Sequence, residues 1–334
     1  MAGPVADRVW RDVSPDEIEP ALAAVRREAG GSAPLAHAVM SNLVVVRTCG
    51  ADEPLDAFAA ADAETIDAVA ARHPSRVIVI AHEEGCPLTR APLAARVSVT
   101  TYGAPQARYA VEQVSIRSSC DATSLPSIVR RLIRGDVPTT VWYPGDISQQ
   151  PPIPAIVAEG RQLVYDSRRW RDIGAGTRAV VQAIETAGID VADLNWRRLA
   201  AVRQALRHAC EELPVDDLRR AHVRIDHAPG DAAIAWLLRG WLASRLAWSD
   251  EDLPAVTSAA RHGARLLLTI GEAPRQTTVE LSDAAVRVDQ RGLPPYTLAV
   301  PQESIADAVA AELRSLTPDA ALRETLRALA RTIA

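Results

Sequence analysis

The chain has 334 residues, 48% hydrophobic and 24% charged, with a formal net charge of −5. This is an ordinary globular composition, which excludes a disordered or fibrous chain, and the mild negative charge argues against nucleic-acid binding, which needs a concentrated basic face. All 37 basic residues are arginine, which excludes a Schiff-base lysine, a lysine general base and a P-loop lysine.

In chain order, the first ~35 residues read as a variable N-terminal helix and loop ending in Gly30-Gly31-Ser32 and Pro34. A buried strand is predicted over His37–Val46, then an alanine-rich helix over Leu55–Arg72. The β-branched run Arg76–Ile80 is a strand, and Val97–Thr101 and Val111–Arg117 add two more. In the last of these, polar and apolar residues alternate, so partial exposure is expected. Leu125, Ile128, Val129, Leu132 and Ile133 trace the clearest helical stripe. Ser124 or Asp121 is its expected cap, and Gly135 and Pro138 end it. Thr139–Tyr143 is a strand stopped by Pro144-Gly145-Asp146.

The proline cluster between Ser148 and Pro154 is the best linker. The expected division is a variable segment at 1–35, an α/β domain at 36–148, a linker at 149–154 and a second domain at 155–334. The second half opens with a short strand, Leu163–Tyr165, followed by a helix over Gly176–Thr186. Asp193 is a plausible cap for a helix beginning at Leu194-Asn195-Trp196. Arg219–Ala228 reads as a strand, and Ile234–Leu246 as a strongly apolar helix. Four antiparallel strands are predicted at Arg265–Ile270, Thr277–Leu281, Ala285–Asp289 and Tyr296–Val300. Two helices close the chain, the last capped by Thr317-Pro318. The fold class is therefore α/β, becoming α+β in the second half. A mixed sheet with flanking helices precedes a domain of helices and mainly antiparallel sheet.

The site search is mostly negative. Gly174-Ala175-Gly176-Thr177 lacks the full phosphate-loop pattern and reads as a helix-entry loop. His82-Glu83-Glu84-Gly85-Cys86 lacks the second histidine of a metalloprotease helix. His222 and His227 point to opposite faces of a predicted strand and cannot share a metal without a bulge. Glu83-Glu84 and Asp216-Asp217 read as solvated pairs. Cys49, Cys86, Cys120 and Cys210 form no Cys-x-x-Cys pair, so zinc and dithiol chemistry lack support. Cys120 sits at a strand-to-helix junction, where a helix N-terminus could lower its pKa, but no histidine is close in sequence to activate it. The acidic N-terminus lacks a signal-peptide pattern, and no apolar run approaches the roughly 20 residues of a membrane span. The expectation is a cytoplasmic protein with no metal, no cofactor and no membrane or nucleic-acid partner.

Several stretches nevertheless recur together in one family. They are His73-Pro-Ser-Arg-Val-Ile-Val-Ile80, Val111-Glu-Gln-Val-Ser-Ile-Arg117, Leu125-Pro-Ser-Ile-Val129 with its helix, and Pro138-Thr-Thr-Val-Trp-Tyr-Pro-Gly-Asp146. After them come Val164-Tyr-Asp-Ser167 and Asp193-Leu-Asn-Trp-Arg197, with a weaker match in Ala235–Ala243 and Leu246–Trp248. In this order they resemble the glucose-6-phosphate dehydrogenase assembly proteins (OpcA), over about residues 40–250. One departure is Tyr143, where members often carry a second tryptophan. The resemblance implies a non-catalytic factor that binds glucose-6-phosphate dehydrogenase, promotes its active oligomer and so serves the oxidative pentose phosphate pathway and NADPH supply. It marks Ser75, Arg76, Trp142, Gly145, Asp146, Asp166, Asp193 and Asn195 as motif positions of unassigned role. Seven tryptophans stand against one phenylalanine. Because arginine and tryptophan are common interface anchors, Arg130, Arg131, Trp170, Trp196 and Arg197 are the expected partner contacts. The alternatives are a scaffold for another partner and an enzyme acting on a sugar phosphate or nucleotide.

Overall fold

A computed structural model of the chain describes residues 7–31, 35–49, 62–83, 94–103, 108–118, 125–211, 213–259, 263–272, 276–315 and 317–333. The first part runs β1 (Asp7–Val13), α1 (Ile18–Gly30), β2 (Ala36–His37), β3 (Ser41–Cys49), α2 (Ala63–Arg72), β4 (Ser75–Glu83), β5 (Ala94–Tyr102) and β6 (Tyr109–Ser118). It continues through α3 (Leu125–Leu132), β7 (Thr139–Tyr143), α4 (Pro154–Val157), β8 (Gln162–Tyr165), α5 (Ile173–Ala187) and β9 (Asp190–Asp193). These strands form a nine-stranded sheet ordered β1-β5-β6-β4-β3-β7-β8-β9, with β2 beside β6. β1 and β5 are antiparallel to their neighbours, and the rest are parallel. Counting only the six long parallel strands in chain order, the arrangement is 3-2-1-4-5-6, that of doubly wound nucleotide-binding sheets.

Both faces of this sheet are buried, so its central strands carry long apolar runs. Val44, Val46, Ile78 and Ile80 pack into one core layer. Their neighbours Leu43, Val45, Val77 and Val79 pack into the other, beneath α2.

The remainder comprises α6 (Leu194–Arg198), α7 (Ala200–Ala209), α8 (Val215–Arg220), β10 (Val223–His227), α9 (Ala232–Leu246), β11 (Ala255–Ser258), β12 (Leu266–Ile270), β13 (Thr277–Leu281), β14 (Ala285–Gln290), β15 (Tyr296–Ala299), α10 (Ile305–Arg314) and α11 (Ala320–Thr332). Its six strands pair in the order β11-β10-β12-β13-β14-β15, antiparallel except for β10 with β11. α10 returns to the first sheet and packs on α2, while α11 packs on α9 and α5. Gly240 permits that last approach, because a Cβ there would lie 2.5 Å from Leu329 Cγ.

Several expectations need correction. The N-terminal segment is not only helix and loop: Asp7–Val13 is an edge strand against β5. β6 is buried on both sides, including Glu112, Gln113 and Ser115. Arg219–Ala228 divides into the end of α8 and β10. Asp216 and Asp217 in the first turn of α8 and Arg219 and Arg220 in its last suit a helix dipole. The 149–154 segment does not end the first sheet, since β8 and β9 continue it beyond the prolines. The cap of α11 is Asp319, whose carboxylate accepts from Leu322 N at 2.9 Å. Residues 55–61 of the predicted alanine-rich helix, the expected caps Asp121 and Ser124, and Cys86 and Cys120 lie outside the described residues.

Polar burial in β6 is made possible by ion pairing. Arg76 is fully buried and donates to Glu112 at 3.0 Å and to Glu19 of α1. Glu112 also accepts from Arg26 of α1 at 3.0 Å, and Arg134 lies 3.7 Å away. Removing Arg76 leaves the buried Glu112 with Arg26 and the more distant Arg134, so the loss falls at the low end of the about 3–5 kcal/mol for breaking a buried pair. Arg76→Met is therefore expected to lose about that much in urea unfolding. A loss within the ~1 kcal/mol typical of exposed pairs would contradict this role.

Candidate functional site

The carboxyl edge of a doubly wound sheet is where such folds place ligands, and Asp146, Asp166, Asp193 and Asn195 of the motif positions lie there. Asp146 follows β7, Asp166 follows β8 and Asp193 ends β9. Each carboxylate is directed to backbone amides of the turn that follows it. Asp146 accepts from Ser148 N at 2.9 Å and from Ser148 Oγ at 2.6 Å. It also accepts from Arg171 N, in the next loop, at 3.1 Å. Asp166 accepts from Arg168 N at 3.1 Å and takes the fork of Arg198 at 2.8 and 2.9 Å. Asp193 accepts from Asn195 N at 2.8 Å and reaches back to Ser167 N at 3.0 Å. Asn195 Nδ2 then donates to Ser167 Oγ at 3.1 Å. Three successive strand-to-helix loops are thus tied to one another.

The environment of Asp193 is dry. Burial pushes its carboxyl up to about 7, the nearby Asp166 carboxylate adds to this, and the amides of Ser167 and Asn195 offset only part. The Oδ2 atom is buried without a hydrogen-bond partner. Tyr165, fully buried, has its phenol raised well above its usual value by burial and then by Asp193. Its ring stacks on Trp170, with centroids 5.6 Å apart. Trp170 in turn lies over Gly176, where a Cβ would come within 2.4 Å of the indole. That contact explains Gly176. Gly174 and Gly176 belong to the first turns of α5, which Asp172 caps at 2.8 Å.

Beside this edge lies a cleft of about 960 Å³, bordered by β9, α6 and the start of α10. Five arginines and seven carboxylates line it, with no histidine or cysteine among its described residues. Arg197 is held by Glu303 at 2.7 Å and Glu312 at 2.7 Å. Trp196 donates its indole N–H to Asp319 at 2.7 Å and carries the Arg203 guanidinium 3.6 Å above its ring. Among the described residues, no group of three or more His, Cys, Asp or Glu is placed to hold a metal ion, and no helix is long and apolar enough to cross a membrane.

The expected contact residues separate. Arg130 and Arg131 are exposed on α3, with Arg130 paired to Glu159. Trp170 and Trp196 are buried and cannot serve as surface anchors; the gap at Gly176 and the carboxylate of Asp319 draw them inward. Arg197 is half-buried in its carboxylate clamp. Of the remaining motif positions, Trp142 is core and Gly145 is exposed in its turn. Ser75 bonds Ser41 Oγ and His73 O, both at 2.9 Å. Cys49 is buried, and Cys210 is half-buried with its thiol raised by burial. The sequence reading missed Arg198 and Asp319. Asp319 had a signal, standing just before the apolar repeat of α11 as an N-cap should.

Two family models cover most of the chain. Residues 66–182 match the glucose-6-phosphate dehydrogenase subunit N-terminal domain, and residues 189–326 match the corresponding C-terminal domain. The chain belongs to the glucose-6-phosphate dehydrogenase assembly protein family, OpcA. The two matches meet between 182 and 189, at the end of α5, rather than at the proline segment. The chain is 26% identical over 195 residues to the OxPP cycle protein OpcA of Nostoc punctiforme, covering 54% of this chain and 40% of that protein. It is 25% identical over 261 residues to the protein of that name in Synechococcus elongatus, covering 75% and 54%. The chain thus spans about half the length of the curated relatives it matches. Among solved structures it overlaps UDP-N-acetylglucosamine 3-dehydrogenase GnnA from Acidithiobacillus ferrooxidans, with 12% identity, a TM-score of 0.42, and 88% of this chain and 97% of that one covered. An overlap that loose assigns no activity to this chain.

The Asp193 environment has a measurable consequence. An ordinary aspartate ionises near pH 4, so between about pH 4 and 7 the folded state holds a proton that the unfolded state has released. Stability from this group falls as pH rises through that window, and the penalty is constant above it. Asp193→Asn keeps an acceptor for Ser167 N and Asn195 N without the charge. Relative to wild type, the variant is expected to gain in melting temperature by several degrees from pH 4 to pH 8. Parallel melting curves for the two proteins would contradict the assignment.

Proposed function

We propose that this chain is a non-catalytic assembly factor that binds glucose-6-phosphate dehydrogenase, promotes its active oligomer and acts as its allosteric activator. Its place is the cytoplasm, in the oxidative pentose phosphate pathway, where it raises NADPH supply. The observation that carries this reading is the tandem match to both halves of a dehydrogenase subunit family. The chemistry of the carboxyl edge supports it, because the motif carboxylates there are engaged in tying loops. An activator shifts an equilibrium only by binding the active state more tightly than the inactive one.

The strand order favours a second reading, an enzyme that binds a nucleotide. Against it, β3 is followed by Gly50-Ala51-Asp52-Glu53-Pro54, without the glycine fingerprint that lets a backbone approach a pyrophosphate.

The test is NADPH formation by the dehydrogenase of the same source, across glucose 6-phosphate concentrations, with and without this chain, alongside a sizing column. A lower KM or higher kcat with co-elution is expected. Unchanged kinetics and separate elution of two folded proteins would refute the proposal. Retention of NADPH by this chain alone would move the account to the second reading.

A further inference from the structure

A second groove of about 960 Å³ is bordered by α7, α8 and α9. Its floor is apolar, built from Leu206, Leu218, Leu242 and Ile270 with Trp241 and Trp248. Both tryptophans are only half-buried. Apolar surface of this kind, framed by charge, is characteristic of interaction sites.

The charge around the floor is one-sided. Arg203 and Arg207 stand one turn apart on α7, Arg245 lines the groove from α9, and Glu211 is the single carboxylate among its described lining residues. Arg245 pairs with Glu324 of α11, where both side chains are exposed. Arg203 lies over the Trp196 ring, and its Nε is buried without a hydrogen-bond partner. Burial pushes Arg203 down to about 10; Asp319 opposes this, and the neighbouring Arg245 charge adds to it. Arg203 and Arg207 thus add positive charge beside the Arg245–Glu324 pair, along the rim of an apolar floor.

We propose that this groove docks an acidic amphipathic segment of a partner protein. Its apolar side chains rest on the Trp241–Trp248 floor, and its carboxylates meet Arg203, Arg207 and Arg245. Nucleic acid offers phosphates but no apolar side chains for that floor, and the whole chain carries a net charge of −5. The inference rests on the reading of this chain as a binding partner of the dehydrogenase, and names the surface and chemistry of that contact.

The experiment measures the affinity of the full chain for the dehydrogenase of the same source, at low and high salt. The variants are the double reversal Arg207→Glu with Arg245→Glu, the floor variant Leu218→Glu, and Arg27→Glu on α1 as a control, each checked for folding by circular dichroism. The double reversal is expected to weaken binding at least about tenfold and to flatten the salt dependence, since rim charges act through long-range attraction. Leu218→Glu is expected to weaken binding at both salt concentrations, and Arg27→Glu to leave it unchanged. Equal affinity and salt dependence in wild type, double reversal and floor variant would overturn the groove while leaving the dehydrogenase as partner. So would an equal loss from Arg27→Glu. No binding by folded wild type would overturn the choice of partner, and this inference with it.

Discussion

The structure depends on carboxylates that accept backbone N–H groups at the carboxyl edge of the parallel sheet. Asp146, Asp166 and Asp193 end or follow adjacent strands. Asp146 bonds Arg171 N and Asp193 bonds Ser167 N, each in a neighbouring loop. In a sheet of this order the edge is the natural place for a ligand. Here Asp146, Asp166 and Asp193 each accept bonds that hold the loops together. The same bonds set the start of α6, and hence the position of Trp196 and the helices beyond it.

This arrangement makes the two halves mutually dependent. Trp196 reaches Asp319, which caps α11, and Arg197 holds Glu303 and Glu312 around the start and body of α10. α10 then covers the first sheet beside α2. On the opposite flank, Arg76 and Glu112 anchor α1 through Glu19 and Arg26. The motif residues thus act as internal fasteners, and the open, charged and apolar surface lies elsewhere, on α7 and α9.

Much of the fold was legible where local pattern decides structure. The stripe of α3 and the β-branched run of β4 announced themselves by period alone. What was hidden depends on distant partners. Asp7–Val13 is rich in charge and becomes a strand only because β5, some ninety residues later, offers an edge. Glu112 alternates like a surface residue and is buried because arginines from α1 and β4 reach it. The prolines at 151, 152 and 154 resemble a boundary, yet a sheet can continue after a break in its chain. At the site, the motif positions were recognisable but their role was not. Trp170 and Trp196 looked like anchors beside arginines; Gly176 and Asp319, six and 123 residues away, place them inside.

On this reading the motif-bearing edge is scaffolding and partner recognition belongs to the α7–α9 surface. Hydrogen exchange of the chain, alone and with the dehydrogenase, tests it most directly. The account predicts that amides of Ser148, Ser167, Arg171 and Asn195 are protected in the free chain and unchanged by the partner, with new protection concentrated in residues 200–248. New protection confined to the loops after β7, β8 and β9, with none on α7 or α9, would contradict it.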